Sequence, residues 1–354
     1  MKSEDFFTVS PFNLVPDISY SDLWCGRPAQ LKNLKKIEKN MSIKKDSTMD
    51  LIWSSFGGGK THALFYLSSL LSDENKYLPL YFETPPDMQK FMDLYREIVK
   101  SLPLKKVCAL IDNTKDIEIN HSLRQASRTI LHGRDTEKNL CIEWLTAKRP
   151  HLTELKRFTG ITSRIEDEIF ATSVLSDIIK IMDRNKIRTV MLLDDYQRAS
   201  HNMKEKSFNT LGSFLRNLFN RHPRNFSLII AMVSRMQQTA LNLFPQEIRT
   251  IMGMRPAVEL PEMSIDESKV FILERFQHFR PENFNNNQFF PFNEKIVMDV
   301  LEFMKAKGTE NSKLIPRRLL QVFGQLFNEV LIEEKLEDEN FIMEAMEALN
   351  WDEM

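Results

Sequence analysis

A glycine-rich stretch at residues 54–61 (SSFGGGKT) constrains the fold of this chain more than any other feature of its sequence. It follows a short apolar run at residues 49–53, which predicts a buried strand, and it leads into residues 61–71, whose apolar spacing predicts a helix. Consecutive glycines let backbone N–H groups surround an anion without Cβ clashes, and the helix N-terminus adds a favourable dipole. Strand, glycine-rich turn and helix in this order predict a phosphate-binding P-loop.

The residue types around the turn predict how a nucleotide would be held. Lys60 is expected to reach the β- and γ-phosphates of ATP, and the Thr61 hydroxyl is expected to bind Mg²⁺. Ser54 stands where the motif GxxxxGK[ST] has its first glycine. The alternative is a glycine-rich strand–helix turn with a lysine on the surface. Under the nucleotide interpretation, the contacting residues are Ser55, Phe56, Gly57, Gly58, Gly59, Lys60, Thr61 and His62.

A second apolar run, at residues 189–193 (TVMLL), ends in Asp194 and Asp195. A P-loop site needs an acidic residue at the end of another strand to hold Mg²⁺ through water. Asp194 is therefore the predicted Mg²⁺ residue, and Asp195 occupies the place of a catalytic carboxylate that polarises the attacking water. An ordinary strand that runs into an acidic turn is the alternative. Glu83, at the end of another predicted strand, is the next catalytic candidate.

Apolar runs at residues 77–82 and 226–233 predict two more strands, and helical spacing dominates residues 87–185. Short apolar strands that alternate with helices predict an α/β fold with a parallel sheet. After Leu260 only helical patterns continue, so we expect a small all-helical domain. The predicted organisation is a lead-in at 1–24, a P-loop domain at 25–260 with a helical insert at about 84–185, a helical domain at 261–335, and an acidic tail or helix at 336–354.

Composition limits the chemistry that the chain can carry. The formal net charge is −1, so no overall positive field attracts nucleic acid or anionic lipid. The three cysteines form no CxxC pair, which argues against a zinc site and a disulfide framework and favours a reducing compartment. The N-terminus lacks a signal-peptide pattern, and no apolar run approaches the roughly 18 residues of a membrane span. We therefore expect a cytoplasmic protein with no membrane partner.

Two further motifs, taken with the P-loop and the acidic strand, resemble AAA+ ATPases of the Orc/Cdc6 group. Residues 24–27 (WCGR), followed by Leu31 and Leu34, resemble the GRxxEL box that precedes the P-loop in that family. Residues 314–318 (LIPRR) resemble the family's sensor 2 motif at the start of a helix. The resemblance covers roughly residues 20–335. It implies an AAA+ domain with a parallel sheet, followed by a helical lid domain.

The resemblance also implies roles for individual residues. Gly26 and Arg27 would help to cradle the adenine, and Ser234 would be the polar sensor 1 residue. Arg317 would meet the γ-phosphate from the lid, although a solvent-exposed arginine at a helix start is the alternative. AAA+ sites are usually completed by an arginine of a neighbouring subunit. Arg249 and Arg255 are the candidates, with Arg235 as a third; each is as readily an ordinary surface arginine.

This chain departs from the family at three points. Asp195 replaces the usual glutamate, and its side chain is one methylene shorter. The stretch between the second and third predicted strands is long, and it loosely resembles bacterial Orc-like ATPases from phage-defence and mobile-element gene clusters. Because only residues 336–354 follow the lid, we expect no winged-helix DNA reader.

The predicted function is ATP binding with slow hydrolysis, which drives self-assembly or a switch that acts on a partner protein or on DNA. The alternative is a nucleotide-gated adaptor or transposition-type regulator, in which ATP binding rather than hydrolysis carries the function. The expected partners are further copies of the chain or another protein, with non-specific DNA as an additional ligand. A basic stretch at residues 32–45 suits DNA phosphates, but a solvated helix face is the preferred interpretation.

Overall fold

The structure is a computed structural model that describes residues 6–234, 236–244, 246–252, 257–282, 284–308, 313–349 and 351. For residues 237–239 and 247 only the backbone is described.

The strands in these residues form one sheet with the order β2-β3-β4-β1-β5. The pairs β2–β3 and β3–β4 are parallel, with Glu83 opposite Asp194 at the carboxyl end of the first pair. Every residue of β3 is buried, as its unbroken apolar run predicts. The strands are β1 (Thr48–Ser54), β2 (Tyr77–Glu83), β3 (Arg188–Asp194), β4 (Phe226–Val233) and β5 (Val258–Glu259).

The helices up to β3 include the whole of the predicted helical insert. Helix α1 follows the motif at residues 24–27, α2 follows the glycine-rich turn, and α3 to α8 lie between β2 and β3. Their bounds are α1 (Pro28–Ile43), α2 (Lys60–Leu70), α3 (Phe91–Lys100), α4 (Leu104–Asn113), α5 (His121–His132), α6 (Asp135–Leu145), α7 (Leu152–Thr159) and α8 (Glu168–Arg184).

The helices after β3 include three short ones that the sequence pattern did not predict, namely α9, α11 and α12. The bounds are α9 (Gln197–Asn202), α10 (Glu205–Arg221), α11 (Gln237–Asn242), α12 (Gln246–Met252), α13 (Ile265–Phe279), α14 (Glu294–Lys307), α15 (Pro316–Ile332) and α16 (Glu339–Ala348). Strands alternate with helices as far as β5, and the residues beyond it form helices. The predicted α/β class with a parallel sheet and a C-terminal helical region is therefore confirmed.

Packing divides the chain into two compact units. Unit 1 comprises residues 1–34, 54–66 and 259–354, and unit 2 comprises residues 35–53 and 67–258. The glycine-rich turn therefore belongs to the same unit as the N-terminal segment and the C-terminal helices. Unit 2 holds most of the sheet and the helical insert, with a core that runs from the strands into α3 to α8.

The core of unit 1 is rich in phenylalanine. Phe7 and Phe12 of the N-terminal segment pack against Phe276 of α13 at ring-centroid distances of 5.3 Å and 5.7 Å. A Cβ at Gly324 of α15 would lie 3.1 Å from the Cβ of Phe12, so this glycine admits the phenylalanine at close range. The segment before the first helix is thus an integral part of the helical unit. No helix in the described ranges is long and apolar enough to cross a membrane.

Candidate nucleotide-binding site

The backbone of the turn after β1 can be adopted only with glycine at specific positions. Gly57 and Gly59 have φ of 77° and 95°, in the left-handed region that other residues rarely enter. A Cβ at Gly58 would lie 2.4 Å from the Oγ of Ser54 and 2.6 Å from its Cβ. The backbone therefore makes a tight turn that leads directly into the N-terminus of α2, a shape that fits a phosphate group.

Lys60 begins α2 and folds back over the turn. It is buried, and its Nζ lies 3.3 Å from the Ser54 Oγ and 3.4 Å from the Ser55 carbonyl oxygen. The Ser54 hydroxyl in turn donates to the Ser55 carbonyl at 2.8 Å. The serine that replaces the first glycine of the motif thus gives the lysine an oxygen partner within the loop.

The predicted adenine box contacts this turn directly. Arg27 has φ of 48° and its side chain is buried, with Nη1 donating to the Gly58 carbonyl at 2.6 Å and Nη2 donating to the Pro261 carbonyl. Gly26 has φ of 62°, and its N–H donates to a carboxylate oxygen of Glu274 at 2.7 Å. Gly26 is required by space as well, because a Cβ there would lie 2.9 Å from a backbone carbonyl oxygen of α13. The structure therefore brings Arg27 to the loop and places Gly26 against α13.

An aromatic group lies beside the box. The ring of Trp24 is nearly parallel to that of His62 at a centroid distance of 6.1 Å and lies 5.3 Å from that of Tyr66. The Nε2 of His62 is 2.5 Å from the Leu23 carbonyl oxygen, so this nitrogen carries the proton. Burial lowers the pKa of His62, against the opposing effect of that hydrogen bond, so the imidazole is neutral near pH 7. Trp24 and Tyr66 were not among the predicted ligand contacts, although flat rings here suit a stacked nucleobase.

Arg317 also lies at the turn. Its backbone N–H donates to the Gly57 carbonyl at 3.3 Å, and its guanidinium carbon lies 4.5 Å from the centroid of the Phe56 ring. The Phe56 side chain is 64% exposed, so the cation rests on an open aromatic face. Pro316 at the first position of α15 fixes the start of this helix. The sensor 2-like motif and the P-loop thus lie together within unit 1.

The acidic residues form a second group, within unit 2. Asp194 is buried at the end of β3, and the Asp195 N–H donates to its Oδ1 at 2.8 Å. The one O–H of Tyr81 lies 3.3 Å from the Oδ2 of Asp194 and 3.0 Å from the Oε1 of Glu83, so the two carboxylates share this donor. Both the N–H and the hydroxyl of Thr84 donate to the Asp194 carbonyl at 3.0 Å. Burial, followed by the charges of Asp194 and Glu83, raises the pKa of Tyr81, so its hydroxyl stays protonated and donates. These contacts fix the direction of the Asp194 carboxylate.

Asp195 is held by its own neighbours. It has φ of 54°, and its Oδ1 accepts from Nε2 of Gln197 at 2.9 Å, while its Oδ2 lies 2.6 Å from Nη2 of Arg198. Arg198 also donates to the Thr84 carbonyl at 3.0 Å and lies 3.6 Å from Glu83. The side-chain Oε1 of Gln197 accepts from the Val233 N–H at 3.0 Å. Two side chains of α9 therefore connect Asp195 to the carboxyl ends of β2 and β4, and both carboxylate oxygens have a partner.

Of the remaining predicted site residues, the structure describes Ser234 and Arg249. Ser234 follows β4, is buried, and donates its hydroxyl to the Met236 carbonyl at 2.8 Å. Arg249 is exposed on α12, with Nε donating to the Phe244 carbonyl at 2.8 Å. Arg235 and Arg255 lie outside the described residues. No group of three or more histidine, cysteine, aspartate or glutamate side chains in the described ranges is arranged to hold a metal ion.

The described fold is similar to that of solved proteins of the Orc/Cdc6 group. The Aeropyrum pernix ORC1 protein, solved in complex with DNA, is similar over 96% of this chain and 68% of its own, at 14% identity and a TM-score of 0.52. The Aeropyrum pernix ORC2 protein, solved with ADPNP and ADP, is similar over 96% of this chain and 71% of its own length, at 11% identity and a TM-score of 0.53.

A Walker-type ATPase of Pyrococcus abyssi is similar over 95% of this chain and 75% of its own, at 13% identity and a TM-score of 0.53. No family model matches the chain, and no curated protein matches it. At these identities the likeness establishes the fold and leaves the ligands and the activity to the chain's own residues.

The close contact between Gly58 and Ser54 predicts a substitution pair. Gly58→Ala should lower ATP affinity about tenfold or more, since overpacking costs about 1–3 kcal/mol. Ser54→Gly removes both clashing atoms, so the double variant should bind ATP nearly as well as Ser54→Gly alone. Calorimetric titration of the three variants and the native protein tests this. Wild-type affinity in Gly58→Ala would contradict the loop geometry described above.

Proposed function

We propose that this protein binds ATP with Mg²⁺ at the loop of residues 54–61 and hydrolyses it slowly. The observation that carries the proposal is the loop itself, in which left-handed glycines and a buried lysine precede the N-terminus of α2. A loop of this shape presents several N–H donors and a cation to one anion, which suits the β- and γ-phosphates. The nearby Trp24, His62 and Tyr66 rings support a planar base as the other end of the ligand.

Each residue has a defined part in this proposal. Lys60 and Arg317 balance the charge of the phosphates, and the Gly57–Gly59 backbone binds them. Thr61 and Asp194 are the groups proposed to hold Mg²⁺, which when bound neutralises phosphate charge and orients the γ-phosphate. Asp195 accepts hydrogen bonds from the attacking water in place of the family's glutamate. The chemistry is thus metal-assisted phosphoryl transfer to water.

Slow turnover follows from the contacts of Asp195. Each of its two carboxylate oxygens already contacts a side chain of α9, Gln197 or Arg198, so fewer lone pairs remain to orient a water. This favours a switch, in which ATP binding sets one state and hydrolysis ends it. A motor that turns over ATP continuously is the second candidate, and a phage-defence or mobile-element setting stays a prediction for either. The identity of the neighbouring genes tests the setting, since a nuclease or transposase gene is expected beside it.

Lys60→Ala tests nucleotide binding. We expect ATP affinity to fall about 10- to 100-fold, because a hydrogen bond to a charged group contributes about 1.5–3 kcal/mol. Titration calorimetry measures it, with Lys100→Ala as the matched control. Lys100 is paired with Glu97 in an exposed contact, which contributes at most about 1 kcal/mol to stability. Equal affinity of Lys60→Ala and the control would refute the proposal.

Arg198→Ala tests whether hydrolysis is restrained. We expect turnover to rise about three- to tenfold with unchanged ATP affinity, because one oxygen of Asp195 loses its ion pair. Asp195→Asn should bind ATP as the native protein does and lose turnover about 100-fold. Single-turnover hydrolysis with radiolabelled ATP measures both. If Arg198→Ala is slower than the native protein, Arg198 orients the carboxylate productively and the motor is favoured.

The assembly part of the proposal concerns partners. The exposed Arg249 supports self-association driven by ATP. The exposed lysines at residues 32–45, with the likeness to a protein solved in complex with DNA, support a non-specific contact with DNA. Sedimentation velocity at micromolar concentration should show larger species with Mg²⁺ and a non-hydrolysable ATP analogue. Added duplex DNA should co-sediment at low salt and be released at high salt. A monomer under all conditions, or salt-resistant recognition of one sequence, would count against this part.

A further inference from the structure

We infer that Arg27 is a positioning residue that sets the direction of the Gly58–Gly59 peptide, so that the Gly59 N–H faces the bound phosphate. The inference rests on the proposed function, and it assigns the arginine of the box to the phosphate loop rather than to the base. Three observations on unit 1 carry it: a short hydrogen bond, the conformational freedom of two adjacent glycines, and a buried cation with no ion-pair partner.

The hydrogen bond determines the orientation of the peptide. The Arg27 Nη1 donates to the Gly58 carbonyl at 2.6 Å, a charge-assisted contact. A trans peptide is planar, with its C=O and N–H on opposite sides. With the carbonyl of Gly58 held toward the guanidinium, the N–H of Gly59 must point the other way. An anion that binds on that side receives this donor already oriented.

The sequence of the loop makes such a restraint necessary. A peptide between two glycines can rotate at small steric cost, because neither residue has a Cβ to oppose it. Gly59 is at φ of 95° in the structure, and a flipped peptide would direct a carbonyl oxygen toward the phosphate instead. The Gly58 carbonyl accepts the hydrogen bond from Nη1 of Arg27, and this contact supplies the restraint.

The charge of Arg27 also calls for an anion. Its side chain is 3% exposed, its Nε is buried without a hydrogen-bond partner, and the carboxylate of Glu267 acts on it only from beyond ion-pair distance among the described residues. Burial lowers the pKa of Arg27 to about 10, so it remains charged at neutral pH. A buried charge that no carboxylate contacts directly is costly, and phosphates at the loop would offset that cost through their opposite charge. The other terminal nitrogen of Arg27, Nη2, donates to the Pro261 carbonyl, and this second hydrogen bond fixes the orientation of the guanidinium.

The test uses inorganic tripolyphosphate, which carries the phosphates without a base. Arg27→Met should lower its affinity about 10- to 100-fold, because a charge-assisted contact and an oriented donor are lost together. Arg27→Lys keeps the positive charge but lacks the planar guanidinium with its two terminal nitrogens, so its affinity should lie between those of Arg27→Met and the native protein. Arg184→Met is the matched control, since Arg184 forms an exposed ion pair with Asp116 in unit 2 and should bind as the native protein does.

A spectrum of glycine-labelled protein gives an independent readout. The chain has only 10 glycines, so the amide signals of Gly58 and Gly59 can be assigned by substitution. In the native protein, tripolyphosphate should shift the Gly59 amide signal strongly; in Arg27→Met, that shift should disappear while the other glycine signals stay in place. If Arg27→Met fails to fold, the same measurements on Arg27→Lys decide the matter, with reduced affinity and a reduced Gly59 shift expected.

The outcomes separate this inference from the proposed function. If the native protein and Lys60→Ala differ as proposed, but both Arg27 variants bind tripolyphosphate as the native protein does, only the inference is overturned. An unchanged Gly59 shift in the folded Arg27→Met variant also overturns it. If the native protein binds neither ATP nor tripolyphosphate, the proposed function fails, and the inference fails with it.

Discussion

The conformation of three consecutive peptide units in the glycine-rich turn is the constraint on which the candidate site depends. Left-handed φ at Gly57 and Gly59 leads the chain from the end of β1 into α2 within a few residues. That path leaves no space for a side chain at Gly58, where Ser54 approaches. Because glycine gains much conformational freedom on unfolding, the turn needs contacts from elsewhere to keep one shape.

Those contacts come from sequence-distant parts of unit 1. Arg27 donates a hydrogen bond to the Gly58 carbonyl. The backbone N–H of Arg317 donates to the Gly57 carbonyl, and its guanidinium lies over the Phe56 ring. The elements that carry these arginines pack on a common core with the N-terminal phenylalanines. A ligand that draws the Arg317 cation from the aromatic ring to a phosphate would therefore act on α15. This gives a physical route from nucleotide state to the helical part of unit 1.

The two aspartates after β3 are both held by neighbouring groups, but in different ways. Asp194 is fixed by Tyr81 and by the backbone, whereas Asp195 is neutralised by Arg198 and bound to Gln197. The ion pair with Arg198 is the feature on which the proposal of a slow switch rests. Arg198 has a second carboxylate, Glu83, at 3.6 Å, so it can remain paired after it leaves Asp195.

The sequence was sufficient for local features and insufficient for contacts between distant segments. The glycine-rich turn between strand and helix, the buried strands and the C-terminal helices follow from periodicity and glycine chemistry, which act over a few residues. The contact of Arg27 with Gly58 joins positions 31 residues apart in the chain, and no local pattern encodes it. The contacts of Gln197 and Arg198 with Asp195 were not predicted, because α9 is short and polar and gives no periodic signal. If that helix had been predicted, the three-residue spacing between Asp195 and Arg198 would have indicated their ion pair. Strand β5 has two residues, too few for a periodic signal.

The most direct test of the central claim is hydrogen exchange of the backbone amides in the loop, with and without Mg²⁺ and a non-hydrolysable ATP analogue. If the loop binds phosphate through its N–H groups, exchange at residues 57–61 should slow markedly with the analogue and remain unchanged with adenosine alone. Exchange near Arg317 should slow as well, because its backbone contacts the loop. Unchanged exchange at residues 57–61 with saturating analogue would contradict the account.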